Sequence, residues 1–269
     1  MATAIREAAD REIGGLEIWI EDLWRQEETP GYLADLAREL GIALSACAPR
    51  QDVNMLSPNA EERERSMRWT VEAVAVARQL GAPVLTIDPG RLVGADQTLG
   101  SGWRPLISAA RTIAQAAENQ GVRVALENPA PASDRVLTHL VDAQSLLREV
   151  NSPFLGISLN LSHLGASAED AVDWVGGIDR VFQIRVSPGR PRRTLQLLLG
   201  RADQRALFVD RLEAAQFQGQ VVLDDAVLGH DPDRLADALA QIRRWFIVRR
   251  PTTARRAALA RARGSGNSA

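Results

Sequence analysis

The sequence predicts an α/β fold, a (β/α)-barrel with seven visible strands and no strand before its first helix. Three observations lead to this fold class. Short β-rich runs alternate with longer helical patterns seven times along the chain, as βαβ units in series would. Several of these runs are apolar without strict alternation, which is typical of parallel strands covered on both faces. The length of 269 residues fits one such barrel.

The elements follow each other in a regular order. The predicted strands are short and rich in β-branched and apolar residues, and they lie at residues 16–20, 43–48, 84–87, 122–126, 155–159, 181–186 and 221–223. The predicted helices present apolar residues at spacings of three and four, and they lie at residues 3–10, 32–40, 61–80, 103–120, 140–150, 168–175, 203–215 and 234–245.

Helix boundaries agree with these elements. Asn59 or Ser57 can cap the helix that follows Pro58, and Gly81 and Gly121 stop two helices directly before strands. A doubly wound open sheet is the competing fold. Such a sheet usually carries a glycine-rich first turn, and the chain has no G-x-G-x-x-G motif.

The helix at residues 3–10 precedes the first visible strand, whereas an eightfold barrel has a strand before that helix. Either the reading frame is longer, or the barrel has seven strands and a gap. A gap leaves open strand edges, which a protein partner, a second copy of the chain or its own tail would have to cover. We expect the barrel to span residues 1–248 and a basic, disordered tail to span residues 249–269.

Composition excludes several classes of mechanism. All 32 basic residues are arginine, so Schiff-base lysine chemistry, lysine-linked pyridoxal phosphate and a P-loop lysine are impossible. Cys47 is the only cysteine, which rules out intramolecular disulfides and zinc-finger spacing. It lies in an apolar run and is expected to be a buried thiol.

The charge pattern and the chain start bear on location and partners. The net charge of −2 favours neither nucleic acid nor membrane, although residues 243–269 carry eight arginines and no acidic residue. The first residues have no apolar signal region, and no stretch reaches membrane-spanning length. The sequence therefore predicts a cytoplasmic protein with no nucleic-acid or membrane partner.

Polar residues cluster just after the predicted strands, where barrels of this kind carry their chemistry. We expect them to converge on one mouth. They are Glu17, Glu21, Arg50, Asn54, Asp88, Glu127, Asn128, Asn160, Ser162, His163, Gln183, Arg185, Ser187, Asp224 and Asp225.

Short motifs in register give the chain a family resemblance. They are G-L-E-I-W at residues 15–19, D-V-N-M-L-S-P at 52–58, L-G-A-P-V-L-T-I-D-P-G at 80–90, G-V-R-V-A-L-E-N-P at 121–129 and G-I-S-L-N-L-S-H at 156–163. Together they resemble the xylose isomerase-like TIM-barrel superfamily, and within it the sugar phosphate isomerase/epimerase group, which is related to the endonuclease IV fold. The resemblance covers roughly residues 10–245.

The resemblance implies a divalent metal, manganese before zinc, held by Glu, Asp, His and Glu at four strand ends. It also implies proton transfer beside a sugar carbonyl. Glu127 matches the first glutamate. Asn160 and His163 fall on an Asp-x-x-His motif, and Arg185 falls on a histidine position. Asp224 takes the place of the last glutamate.

These departures leave the metal-ligand set of Glu127, Asn160 and Asp224 incomplete, so the site holds a metal weakly or none at all. Asn160 carries no charge, and a guanidinium cannot be a ligand. The sequence instead allows the charge of Arg185 to lie between Glu127 and Asp224 in place of the metal.

Two functions remain open at this point. The first is a sugar phosphate isomerase or epimerase with Glu127 and Asp224 as its acid/base pair. The second is a non-catalytic barrel that binds a ligand or a partner protein. In both, a small sugar or sugar phosphate is the expected ligand, and its predicted contacts are Glu17, Trp19, Asn54, Asp88, Asn128, His163 and Arg185.

Overall fold

The structure is a computed structural model, and it describes residues 1–26, 28–48, 53–93, 97–164, 168–186, 202–223 and 232–247. The chain divides into two compact units, Met1–Asp224 and Asp225–Ala269. In the second unit the described element is the helix α9 (Pro232–Ile247). The predicted tail at residues 249–269 lies outside the described residues.

Seven parallel strands form one sheet in chain order within the first unit. They are β1 (Gly15–Trp19), β2 (Ala43–Cys47), β3 (Val84–Ile87), β4 (Arg123–Glu127), β5 (Leu155–Asn160), β6 (Val181–Val186) and β7 (Gln220–Leu223). Gln183 on β6 donates to Glu17 on β1 over 3.1 Å, although four strands separate the two in the sheet. The sheet therefore curves round into a nearly closed barrel, and the predicted fold class is confirmed.

Helices connect the strands on the outside. They are α1 (Ala2–Asp10), α2 (Ile20–Arg25), α3 (Pro30–Glu39), α4 (Ala60–Gln79), α5 (Leu99–Gln120), α6 (Leu140–Val150), α7 (Ala168–Gly177) and α8 (Ala202–Ala214), with a 3-10 turn at Leu161–His163. Among the described helices, none combines the length and the apolarity that crossing a bilayer requires.

Local sequence signals explain where the helices begin and end. The side chain of Asn59 accepts hydrogen bonds from the backbone N–H groups of Glu61 and Glu62, so it caps α4 as predicted. Gly121 ends α5 in the left-handed conformation with φ 65°, which a glycine adopts without steric penalty.

One helix was not predicted, and one begins more than two residues from its predicted start. The helix α2 follows directly on β1 and was not predicted, because its six residues are too short for a periodic pattern. The helix α5 begins at Leu99 rather than at residue 103, since Thr98 and Ser101 form a capping box ahead of Pro105.

A β-bulge interrupts the pairing of β5 with β6. Ile157 pairs with Val181, but Ser158 pairs with Gln183, so Phe182 is the extra residue of β6. Gln183 reaches the barrel interior, and Phe182 packs with Val84 and Ala125 below it. The bulge thus turns two consecutive side chains of β6 to the inside.

Candidate functional site

The barrel interior is lined by polar side chains where such barrels usually carry branched apolar ones. Glu17 pairs in register with Ser45, and Glu127 pairs with Ser158, so these residues share the inner face of the sheet. The buried polar residues of the strands are Ser45, Thr86, Glu127, Ser158, Asn160, Gln183 and Arg185. Buried polar groups need partners, and most of these partners are each other.

Arg185 is the central cation of this interior. Its side chain is 3% exposed, and its Nη2 donates a short hydrogen bond to Oε2 of Glu17. Its Nε lies 3.3 Å from Oε2 of Glu127 on the other side. One guanidinium therefore links two carboxylates whose side chains are 6% and 4% exposed.

The charge of Arg185 is fixed by this arrangement. Burial alone would lower the pKa of Arg185, because it removes the cation from water. The carboxylates of Glu17 and Glu127 outweigh burial, with a smaller contribution from Cys47, and the pKa is raised above its ordinary value. The site thus contains a permanent positive charge at its centre.

Glu127 is held from a second direction by the end of β5. Nδ2 of Asn160 donates to Oε1 of Glu127 over 3.0 Å. Asn128 and Asn160 join the ends of β4 and β5, since the backbone N–H of Asn160 donates to Oδ1 of Asn128 over 2.6 Å, and Nδ2 of Asn128 donates to the carbonyl of Asn160 over 3.2 Å. Oε1 of Glu127 therefore accepts from Asn160, and Oε2 lies in the ion pair with Arg185.

His163 reaches the same cluster from the 3-10 turn after β5. Its Nδ1 lies 2.8 Å from the carbonyl oxygen of Asn128 and 3.7 Å from Oε1 of Glu127. Both neighbours are acceptors, so the network assigns the proton to Nδ1. Nε2 is then the ring nitrogen left for a ligand, and the side chain is 27% exposed.

A second layer of polar side chains lies beneath the ion pairs and centres on Gln183. Its Oε1 accepts from Thr86 and from Ser158, each over 2.8 Å, and its Nε2 donates to Glu17. The sequence shows Gln183 as a polar residue of a strand, but it does not single out Thr86 or Ser158. Their only signal is a hydroxyl at the inward position of an otherwise apolar strand.

The remaining predicted ligand contacts lie at the edge of the site. Trp19, two residues after Glu17 on β1, is 38% exposed. Asp88 accepts from the N–H of Gly90 over 2.8 Å and lies 3.4 Å from Nη1 of Arg135. Asn54 shapes the loop after β2, because its Oδ1 accepts from Leu56 and Arg91 and its Nδ2 donates to the carbonyl of Arg91.

The second predicted acid/base residue, Asp224, lies outside the described residues, as do Arg50, Ser187 and Asp225. We predicted that Arg185 lies between Glu127 and Asp224. The described residues include its contact with Glu127, whereas Asp224 lies outside them. The structure adds Glu17 as a partner of Arg185 that the sequence prediction did not name.

The described residues do not fit a divalent metal. Within them, no group of three or more His, Cys, Asp or Glu side chains is placed to hold one. A guanidinium, which cannot be a ligand, contacts both carboxylates, so neither could bind a metal without giving up its ion pair.

Comparison with known proteins gives one family and many similar structures. A family model described as a xylose isomerase-like TIM barrel matches residues 5–245. A comparison with curated proteins found no match to the sequence.

Among solved structures, a D-tagatose 3-epimerase-like protein has a TM-score of 0.76 at 16% identity, with 92% of this chain and 93% of that chain covered. An Escherichia coli 3-keto-D-glucoside 4-epimerase has a TM-score of 0.70 at 17% identity, with 90% and 93% covered. A D-psicose 3-epimerase from Clostridium cellulolyticum H10 has a TM-score of 0.69 at 15% identity, with 90% of each chain covered. At these identities the similarity establishes the fold.

Proposed function

The chain belongs to the xylose isomerase-like TIM-barrel family, and on that premise we propose that its barrel mouth binds a small sugar or sugar phosphate beside the buried Arg185 cluster and not on a divalent metal. One observation carries this proposal. The guanidinium of Arg185 contacts both Glu17 and Glu127 in the interior of the barrel.

The cluster favours binding over proton transfer. A general base needs a lone pair directed at the substrate, but Oε1 of Glu127 accepts from Asn160 and its Oε2 forms an ion pair with Arg185. The Oε1 and Oε2 atoms of Glu17 face Gln183 and Arg185 in the same way. Bound in this manner, the two carboxylates hold the cation rigidly and are not available to a substrate C–H bond.

Ligand contacts come from the more exposed groups beside the cluster. Trp19 offers an aromatic face on which a sugar ring can stack, and Nε2 of His163 offers a hydrogen bond to a hydroxyl group. Asp88 is partly exposed and can accept from a further hydroxyl.

A sugar isomerase or epimerase is the second candidate. It is supported by the retention of Glu127 and His163 within 3.7 Å of each other and by the sugar epimerases among the similar folds. In that case Glu127 and Asp224 would move a proton beside a sugar carbonyl, and the ion pair between Glu127 and Arg185 would have to open first.

The two candidates differ in their dependence on metal. We expect chelator-treated protein to bind ketohexoses such as D-psicose, D-tagatose or D-fructose in isothermal titration, with the same affinity after manganese is added. Trp19→Ala should weaken that binding, and Val141→Ala, at an exposed position on α6, should not. Manganese-dependent epimerisation that Glu127→Gln abolishes would establish the second candidate instead.

The loss of the metal site is testable by restoring it. The double variant Asn160→Asp, Arg185→His recovers the residue types that the family resemblance implies. We expect it to bind roughly one manganese ion per chain by elemental analysis. The variant removes the cation of Arg185, and the new Asp and His side chains can both ligate a metal. Stoichiometric manganese in the unmodified chain would contradict the proposal.

A further inference from the structure

A polar cavity of about 160 Å³ lies at the end of the barrel opposite to the ion-pair cluster. Its wall includes Arg123, the first residue of β4, whereas Glu127 is the last residue of that strand. The other walls come from the end of α7, the start of β6 and the loop before β7, at residues 175, 178–182 and 215–219. The cavity is therefore separate from the mouth.

Arg123 is one of two guanidinium groups that line this cavity. Its guanidinium carbon lies 5.0 Å from the ring centroid of Phe182, so the cation rests over an aromatic face. Within the described part of the chain, the guanidinium of Arg123 contacts this ring and no carboxylate.

Arg180 supplies the second guanidinium. Its Nη2 donates to the carbonyl oxygen of Leu147 over 2.9 Å, which fixes the side chain. Its Nε is buried and has no hydrogen-bond partner among the described residues. A buried donor of a charged group is rarely left unpaired, so this atom indicates a missing acceptor.

Two glycines bring the walls close enough to enclose the cavity. A Cβ at Gly156 would lie 2.4 Å from the carbonyl oxygen of Arg180, and a Cβ at Gly219 would lie 2.3 Å from that of Phe182. Any larger residue would push β5 or the loop before β7 away from the bulged start of β6. The site is thus built by the fold and not by mobile surface side chains.

We propose that this cavity is a binding site for a small oxyanion, with a phosphate group as its ligand class. Arg123 and Arg180 both line the cavity, and a guanidinium group carries forked donors of the kind that match phosphate oxygens. Asp179 also lines the cavity and is exposed, so two positive charges and one negative charge leave a net charge of +1. The cavity of about 160 Å³ is well above the minimum that a single water molecule needs, so it leaves room for a five-atom oxyanion.

The entrance is open to solvent, because Asp179, Gln216 and Gln218 are exposed. A sugar phosphate would therefore insert its phosphate and leave its sugar outside, whereas inorganic phosphate would be enclosed.

Titration calorimetry with inorganic phosphate tests this site in the full chain, at ionic strength matched with chloride. We expect saturable binding that weakens by roughly tenfold or more in Arg180→Gln and in Arg123→Gln, and that is unchanged in Arg38→Gln on the far surface helix α3. If circular dichroism shows that Arg180→Gln does not fold, phosphate binding is measured in Arg123→Gln and in the charge-conserving Arg180→Lys instead.

Competition then identifies the source of the phosphate group. If ribose 5-phosphate displaces inorganic phosphate, an esterified ligand fits the site, and if it does not, the free ion is the ligand. No saturable binding, or binding that survives in both Arg123→Gln and Arg180→Gln, overturns the proposal. The latter result would assign the phosphate to other arginines of the chain.

Discussion

The residue that decides the chemistry of this barrel is Arg185. It lies on the inner face of β6 and contacts Glu17 on β1 and Glu127 on β4. Its position follows from strand periodicity, since Gln183 and Arg185 alternate with the buried Ile184. Its contact with Glu17 forms because the barrel closes and brings β6 near β1, and no local sequence pattern predicts that contact.

Replacing Arg185 should destabilise the protein strongly. Arg185→Met leaves two buried carboxylates without their shared cation, and removing one partner of a buried ion pair costs about 3–5 kcal/mol in unfolding free energy. Urea denaturation measures this loss. Arg38→Met is the control, because Arg38 pairs with Asp35 over 2.8 Å with a side chain that is 73% exposed, and such pairs contribute only about 0–1 kcal/mol. Equal effects of the two variants would contradict a stabilising role for the cluster.

The contribution of Arg185 should not vary with pH around neutrality. The pKa of Arg185 is raised in the folded state, so its stabilisation is fully present below the unfolded-state pKa and is lost only above the folded-state pKa. Both lie far above neutral, so we expect the titration of Arg185 to add no pH dependence to the unfolding free energy of the unmodified chain between about pH 6 and about pH 9. Urea denaturation of the unmodified chain across this range measures it, and a stability loss that tracks deprotonation of Arg185 below about pH 9 would contradict the raised pKa.

At the scale of elements, the bulged pair of β5 and β6 organises both ends of the barrel. The extra residue, Phe182, fills the interior beneath Gln183 and supplies the ring under Arg123. Glycine at position 156 makes this possible, because the opposite strand approaches within 2.4 Å of where a Cβ would stand. The sequence shows a glycine there but not the approach of the backbone that requires it.

Gly156→Ala should therefore disturb the bulge. Its Cβ would meet the backbone oxygen of Arg180 and the ring of Phe182 at 2.7 Å, and overpacking of this kind costs about 1–3 kcal/mol in unfolding free energy. Gly100→Ala on α5 is the matched control, since the nearest atom is 3.7 Å from its Cβ and alanine favours a helix. Thermal denaturation compares the stability of the two variants. If Gly156→Ala is as stable as Gly100→Ala, β5 and β6 can move apart at this point without a cost in unfolding free energy.

At the scale of the whole molecule, the described carboxylates inside the barrel have partners from the chain itself. Arg185 and the amides of Asn160 and Gln183 contact the carboxylates that would otherwise repel each other. We therefore expect the ends of β1, β4 and β6 to come together without a bound ion.

Stability should accordingly be independent of divalent metal. A ligand that binds the folded state raises stability by RT ln(1 + [L]/Kd), about 2.7 kcal/mol at a hundredfold excess over Kd. We expect equal Tm values in chelator and in excess manganese. The Asn160→Asp, Arg185→His variant serves as the positive control, since its Tm should rise with manganese. A metal-dependent rise in the unmodified chain would instead indicate ligands beyond the described residues.

Several predictions about the whole molecule stay predictions. They are the cytoplasmic location, the boundary at residue 248, and a protein partner or second copy that covers the ends of the sheet at β1 and β7. The basic residues at 249–269 lie outside the described part of the chain.

The sequence by itself determined the strand and helix alternation, the parallel sheet, the family and the polar residues at the strand ends. Each of these is a local or periodic property, written in hydrophobic spacing, caps and short motifs. Only the tertiary structure decided which strand-end residues meet. The pairing of Glu17 with Arg185 across the barrel and the two arginines that line one cavity at its other end depend on sheet curvature and on one bulge. Both arise from contacts between residues distant in sequence.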